Sequence, residues 1–397
     1  MRAVVRPADD TGSDLTDLAA GDGVLFVRDG VGLAGRGVAA RVPADDAAKL
    51  LGEIDVHVES DDDPGPGAGP VALGWVPYRP GEPGELIVPA TVVRAGPDGR
   101  RWITTIDDAP DDLRPSPEPA ASASAYRLFP VTPIESYLGA VRAVRDSVRS
   151  GALTKAVIAR EIAVTADGPI DLHGVLRRLQ ASFGSSYRFA IDGFVGASPE
   201  LLVEVEGRTI RSYPLAGTAP RTGDVDRDAA TAAALLASTK NQVEHRVVID
   251  VIHDTLLPWC SYLDWEPQPS IITVANVQHL GTRMEGQLSA PPPTVVELVR
   301  ALTPTPALGG HPRDVALAMI EQVEGVARDR YGGAVGWVDA AGNGTWAVAI
   351  RCAELSTDRC RARLWAGGGI VADSDPYAEL AETQAKFQAM LSALVRP

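Results

Sequence analysis

Short β-branched and aromatic runs, set close together and separated by Gly, Pro or Asn, restrict the possible folds of this chain more than any other feature. VALGWVPYRP (71–80), GELIVPATVVRAG (84–96) and RRWITTI (100–106) follow one another with no room for a helix between them. Such runs bounded by turn residues are the pattern of neighbouring strands. The pattern returns at YRFAIDGFVGAS, LLVEVEG, TIRSYPL and SIITVANVQHL, and again at GGAVGWVD, TWAVAIRCAEL and RARLWAGGGIV. The Ala340-Ala341-Gly342-Asn343-Gly344 stretch reads as a hairpin turn. Strands joined by hairpins pair antiparallel, so an α+β protein is expected in place of a regular βαβ repeat. No internal repeat of solenoid length is evident.

Helical periodicity fills the longer intervals. IESYLGAVRAVRDSVRSG brings Tyr137, Val141, Val144 and Val148 onto one face, and Gly151 suits a left-handed stop. The following TKAVIAREIAVTA alternates and is β-branched, so a strand carrying Lys155 is predicted. Further helices are predicted at DAATAAALLAST, NQVEHRVVIDVIHDTL, PTVVELVRAL, RDVALAMIEQVEG and YAELAETQAKFQAMLSAL. In the second of these, Val243, Val247, Val248, Val251 and Ile252 form the predicted apolar stripe, which puts Glu244 at its edge. Asp61 to Pro70 and Asp107 to Ala125 combine Pro, Gly, Ser and acid with almost no apolar content, and are predicted loops. The second reads as an interdomain linker or as an acidic insertion in one sheet system. Strands on both of its sides favour the insertion.

The 397 residues are 45% hydrophobic, enough for a substantial core. Against 37 basic side chains stand 52 acidic ones, a formal charge of −15 that repels nucleic acid and anionic membrane surfaces. The excess is local: about 22 acidic and 11 basic residues fall in the first 120 positions, and the remainder is nearly balanced. The opening MRAVVRPADDTGSDL turns acidic before any apolar run of signal-peptide length, and no apolar stretch is long enough to span a bilayer. A soluble cytoplasmic protein with no membrane or nucleic-acid partner is expected. Cys260, Cys352 and Cys360 form no CxxC pair and imply neither a disulfide framework nor a thiolate zinc site.

Four groups of residues carry candidate chemistry. Glu379, Glu382 and Lys386 share one face of the C-terminal helix, either as a solvated face with an i,i+4 pair or as two hard oxygen ligands for a cation such as Mg²⁺. Glu244 adds a third carboxylate where an unpaired charge is expensive, while His245 and His253 lack metal-ligand spacing and read as structural. AGGGIVADSD and PLAGTAPRTGD leave strands through small residues and offer amides to an anion, yet neither fits a dinucleotide or NTP motif. Lys155 is the only Lys between Lys49 and Lys240, at the start of an apolar strand, and Glu200 ends the Pro-stiffened GFVGASPE turn. Burial disfavours the charged form of each, the condition for a lysine base and a carboxylic acid.

In combination these motifs resemble those of the chorismate-utilising enzymes: isochorismate synthases, salicylate synthases, and the large subunits of anthranilate and aminodeoxychorismate synthases. The resemblance runs from about Phe129 to the C-terminus through TKAVIARE, FVGASPELL, PLAGTAPR, KNQVEHRVV, VQHLGT, LTPTPALGGHPR, YGGAVGWVDAAGNGTWAVAIRCAEL, AGGGIVADSDP and ELAETQAK. It implies two stacked, mostly antiparallel sheets flanked by helices, with residues 126–397 as the catalytic region and the acidic 1–125 completing the same fold. It also implies Mg²⁺ held by Glu244, Glu379 and Glu382, directly or through water, with the metal binding the ring carboxylate of chorismate. Arg351 and the amides of Gly367, Gly368 and Gly369 are the implied receptors of the enolpyruvyl carboxylate. Gly217, Thr218 and Lys386 support the ring carboxylate and the metal waters, and His279 and Tyr331 line the pocket.

By the same resemblance Lys155 is the base that activates water and Glu200 the acid that protonates the departing ring hydroxyl. Ammonia-using relatives typically carry Gln in place of Lys155, so Lys155 favours water, and no glutamine amidotransferase subunit is expected. Salicylate synthases tend to have Thr at the position of Ala307, so Ala307-Leu308 favours enzymes that stop at isochorismate. The implied activity is a Mg²⁺-dependent isomerisation by water addition at C2 with loss of the C4 hydroxyl, feeding siderophore, menaquinone or specialised-metabolite synthesis. The alternatives are salicylate synthesis with pyruvate elimination, and a non-catalytic chorismate-binding subunit. A monomer is expected.

Overall fold

The computed structural model describes residues 1–8, 13–110, 123–274 and 277–395, so most of the acidic Asp107–Ala125 segment lies outside the described residues. The expected hairpins dominate. Among the described residues every strand pair is antiparallel except that of Arg2–Pro7 with Asp55–Val58. They form a 13-stranded sheet and a 9-stranded sheet. The third sheet, a three-stranded one of Leu215–Pro220, Val277–Gly281 and Ser270–Thr273, adds to the two that were expected.

Strand alternation builds the layers. In Val24–Arg28 the side chains of Val24 and Phe26 join one core cluster and those of Leu25 and Val27 another, as a two-residue period requires of a strand buried on both faces. The first cluster unites the two large sheets, packing Phe26, Leu33 and Phe189 with Leu73, Val335 and the fully buried Trp346. Each such large side chain contributes about 1.5–3 kcal/mol by leaving water. The opposite face of the 13-stranded sheet is covered by helices. Leu172–Phe183 and the C-terminal Pro376–Val395 supply the second cluster, and Ile134–Arg149 with Arg313–Glu324 supply a third against Ala156 and Ile158.

The N-terminal residues are structurally part of both sheets. Val24–Arg28 pairs with Tyr187–Ile191, and Val71–Val76 pairs with Ala334–Asp339. The helix Leu172–Phe183, absent from the sequence reading, is capped by Asp171, whose side chain accepts from the Gly174 amide. The Thr239–Leu256 helix differs from its predicted stripe. His245, Val248, Ile249, Ile252 and Leu256 are buried, whereas Val243 is 58% exposed, and the helix turns Asn241 and Glu244 to a cavity. Among the described residues no helix is long and apolar enough to cross a membrane.

Candidate active site

A single cavity of about 260 Å³, near the lower end of ligand-pocket sizes of about 300–1,000 Å³, gathers almost every residue singled out above. Lys155, Glu200, Gly217, Thr218, Glu244, His279, Ala307, Leu308, Tyr331, Arg351, Gly367, Gly369, Glu379, Glu382 and Lys386 all line it. Gly368 does not line it but lies in the same strand, beneath the carboxylates. The cavity also takes in residues that sequence reasoning missed: Val157, Asn241, Ile350 and Trp365 among them. Asn241 was within reach, since it lies one helical turn before Glu244.

The Lys155–Ala166 strand forms one wall and is paired along its length with Arg361–Ile370, in the register Val157 with Gly369 and Ala159 with Gly367. The AGGGI run is therefore the end of the strand predicted from RARLWAGGGIV. PLAGTAP is likewise a strand, Leu215–Pro220, with Gly217 alone at φ +77° where a left-handed turn favours glycine. The ends of cavity side chains crowd Gly368 and Gly369. A Cβ at Gly369 would lie 2.6 Å from Glu244 Oε1 and 2.9 Å from Lys155 Cε, and one at Gly368 would lie 2.7 Å from Glu379 Oε2.

Lys155 is 3% exposed and its Nζ donates to Glu244 Oε1 at 2.7 Å. The strand start predicted for Lys155 thus sits beside a carboxylate 89 positions away in the sequence. Glu200, 2% exposed, accepts from the Leu215 amide at 3.3 Å, and burial pushes its carboxyl up to about 8. It is thus an acid that keeps its proton at neutral pH, as the sequence reading expected.

His279 and Arg351 form a second unit. His279 Nδ1 lies 3.2 Å from the Gly217 carbonyl, which can only accept, so Nδ1 carries the proton. Nε2 is left to accept from Arg351 Nη2 at 3.3 Å. Burial and the neighbouring guanidinium push His279 down to about 3, so the ring is neutral. Arg351 sits at φ +53°, a region sparsely populated by residues with a Cβ, and its buried guanidinium is held at about 10 by desolvation. Tyr331 stacks on Trp365 with ring centroids 6.1 Å apart, and burial holds its phenol well above the usual range.

The C-terminal helix presents its acidic face to this cavity and not to solvent. Asp375 Oδ1 accepts from the Tyr377 and Ala378 amides at 3.1 and 2.9 Å, capping the helix start. Ser374 Oγ donates to Glu379 at 2.8 Å, and Lys386 Nζ donates to Glu382 at 2.6 Å and to the Gly367 carbonyl at 2.7 Å. His245, bonded to Thr282 Oγ1 at 2.7 Å, and His253, edge-on to Trp265, are structural, as their spacing implied.

Among the described residues no three His, Cys, Asp or Glu side chains stand close enough to hold a metal ion as they are. The donor chemistry nevertheless fits a hard divalent cation. Glu379 and Glu382 both reach within 4 Å of the space a Gly368 Cβ would fill, and Mg²⁺ needs only one or two protein carboxylates beside waters and substrate oxygens. The formal charges agree. Lys155, Arg351 and Lys386 balance Glu244, Glu379 and Glu382, while Glu200 and His279 are neutral. A doubly negative ligand entering this balanced cavity needs two positive charges with it.

Residues 86–395 match the sequence family described as chorismate binding enzyme. The isochorismate synthase DhbC of Bacillus subtilis is 37% identical over 336 residues, covering 82% of this chain and 81% of that one. The isochorismate synthase MenF of the same organism is 34% identical over 359 residues, covering 82% and 75%. The solved structure of the menaquinone-specific isochorismate synthase MenF of Escherichia coli superposes with a TM-score of 0.82 over 99% of this chain and 94% of that one. At 24% identity it speaks for the fold.

Proposed function

The chain belongs to the family of chorismate binding enzymes, and from that premise we propose that it is an isochorismate synthase, converting chorismate to isochorismate. The observation that carries the reading is a buried lysine and a buried, protonated glutamic acid on the walls of one cavity.

In the proposed reaction Lys155 takes a proton from water as the oxygen bonds to C2 of the ring. The ring double bonds shift and the C4–O bond breaks, and Glu200 gives its proton to the departing hydroxyl. Water enters and water leaves, so the change is an isomerisation. Each proton transfer is worth about 10²- to 10⁴-fold. Lys155 serves as base only in its deprotonated form, and Glu244, its partner at 2.7 Å, also belongs to the carboxylate set. The base and the cation-binding groups thus form one network.

Glu379, Glu382 and Glu244 are the residues that would hold Mg²⁺. When bound, the ion neutralises and orients a substrate carboxylate. Arg351, aimed by neutral His279, offers its guanidinium to the other carboxylate. The lysine at position 155 supports water as nucleophile over ammonia, and Ala307 beside Leu308 supports release at isochorismate. The decisive experiment is incubation with chorismate and Mg²⁺ followed by product chromatography. Isochorismate as the main product is expected; equimolar pyruvate with salicylate would replace this reading by salicylate synthesis, and an anthranilate-type product on added ammonium would overturn the water assignment.

A further inference from the structure

We infer that the buried pair Glu324–Arg328, outside the set of residues assigned above to acid, base, metal or substrate, positions the Ala307–Leu308 wall of the cavity against the strand that carries Lys155. The inference rests on that cavity being the catalytic one. Both side chains are 2% exposed, and Arg328 Nε donates to Glu324 Oε2 at 2.9 Å. Nη2 also donates to Glu324 Oε1, and the guanidinium reaches outward as well. Nη1 bonds the Leu308 carbonyl at 2.7 Å and Nη2 the Val157 carbonyl at 2.6 Å, while Glu324 Oε1 accepts from the Ala159 amide at 2.6 Å. The ring of Tyr78 covers the guanidinium at 4.4 Å.

Val157 and Leu308 both line the cavity, and Lys155 is two residues from Val157 on the same strand. Arg328 also precedes Tyr331, another wall residue, whose amide donates to the Arg328 carbonyl at 2.8 Å. One planar cation therefore ties two wall segments together at fixed angles, and the backbone of the same residue holds the third. A buried ion pair is a poor source of stability compared with apolar residues of the same size. What it supplies here is geometry, because the rigid fork of Arg satisfies two carbonyls and a carboxylate at once and the point charge of Lys does not.

Misplacement of a reacting group by about 1 Å costs roughly 10²-fold in rate. R328K is expected to lower kcat about 10- to 100-fold with the chorismate KM changed by less than about threefold. The double variant E324M/R328M removes both charges together but strips the Ala159 amide and the Val157 and Leu308 carbonyls of these partners; it is expected to fold with a lowered Tm and to show the same kcat loss. A folded double variant with parental kcat overturns the inference, as does a loss of activity in both variants that only follows the fraction unfolded. Hydrogen exchange gives an arm independent of the reaction. In R328K, residues 156–159 and 305–310 are expected to exchange faster while the Leu172–Phe183 helix does not, and unchanged protection of both segments overturns the inference. If the parent enzyme yields no isochorismate, the functional reading fails while the exchange experiment still decides the role of this pair.

Discussion

Glu200 sets the pH range in which the proposed chemistry can run. Burial lifts its carboxyl from 4.5 to about 8 against the opposing pull of the Leu215 amide and Lys155. That rise corresponds to a preference for the neutral acid on the order of 5 kcal/mol. Because the folded value lies above the unfolded one, the associated stability is fully present below about 4.5 and is lost as the pH rises through about 8. Catalysis should follow the same group: kcat/KM is expected to fall about tenfold per pH unit above about 8, as the acid form disappears. Glu200→Gln keeps an acceptor for the Leu215 amide but has no proton to give, so a loss of about 10²- to 10⁴-fold is expected in a protein that still folds. The measurement is initial rate of isochorismate formation between pH 6 and 10, for parent and variant, with circular dichroism as the folding control. A parent profile level through pH 9.5, or a variant within threefold of the parent, would refute the assignment of Glu200 as the acid.

Lys155→Ala should abolish water addition while calorimetry still detects chorismate binding; turnover within tenfold of the parent removes Lys155 from the mechanism. Gly369→Ala places a Cβ 2.6 Å from Glu244 Oε1 and 2.9 Å from Lys155 Cε, the movable ends of both side chains, so their displacement is expected to lower kcat at least about tenfold with a melting temperature close to the parent. An unchanged rate would show that the carboxylate moves freely. Activity should vanish with chelator and return with Mg²⁺, and metal-independent turnover would end the carboxylate-set assignment. Cation and chorismate should also raise each other's affinity by the same factor in paired titrations, and independent binding would contradict the charge balance of the cavity.

Much of the fold was legible because its signals are local. β-Branched and aromatic runs bounded by turn residues marked Val71–Val76 and Ala334–Asp339 as strands whatever their partners, and the 3.6-residue stripe of Ile134–Arg149 marked a helix. The missed helix Leu172–Phe183 carries an equally clear stripe of Leu172, Val175, Leu176, Leu179 and Phe183, obscured in the sequence by its position between two strand runs. Partnering was not local. Val24–Arg28 finds Tyr187–Ile191 more than 150 residues away, and Lys155 finds Glu244 across 89 positions, so neither pairing leaves a trace in spacing. The exposed Val243 shows the same limit. A helix that borders a cavity on one edge and a core on the next keeps an apolar stripe, and periodicity alone cannot say which edge faces which.

The formal charge of −15 and the proposal of a doubly negative substrate are compatible because charge acts over short distances in this protein. At physiological ionic strength the field of exposed carboxylates is screened within about 8 Å, and the acidic excess lies largely in the N-terminal third, where Asp55, Asp61, Asp62 and Asp63 are exposed. Inside the cavity screening by salt is weak, and there the balance of three cations against three carboxylates governs. A dianion alone would leave that cavity two charges more negative, which burial makes expensive. Entry together with a divalent cation would restore neutrality, and Glu379 and Glu382, which converge over Gly368, are the carboxylates that would hold it. The carboxylates that contribute to the unfavourable net charge are, at this site, the means by which the protein would recruit the positive charge its substrate requires.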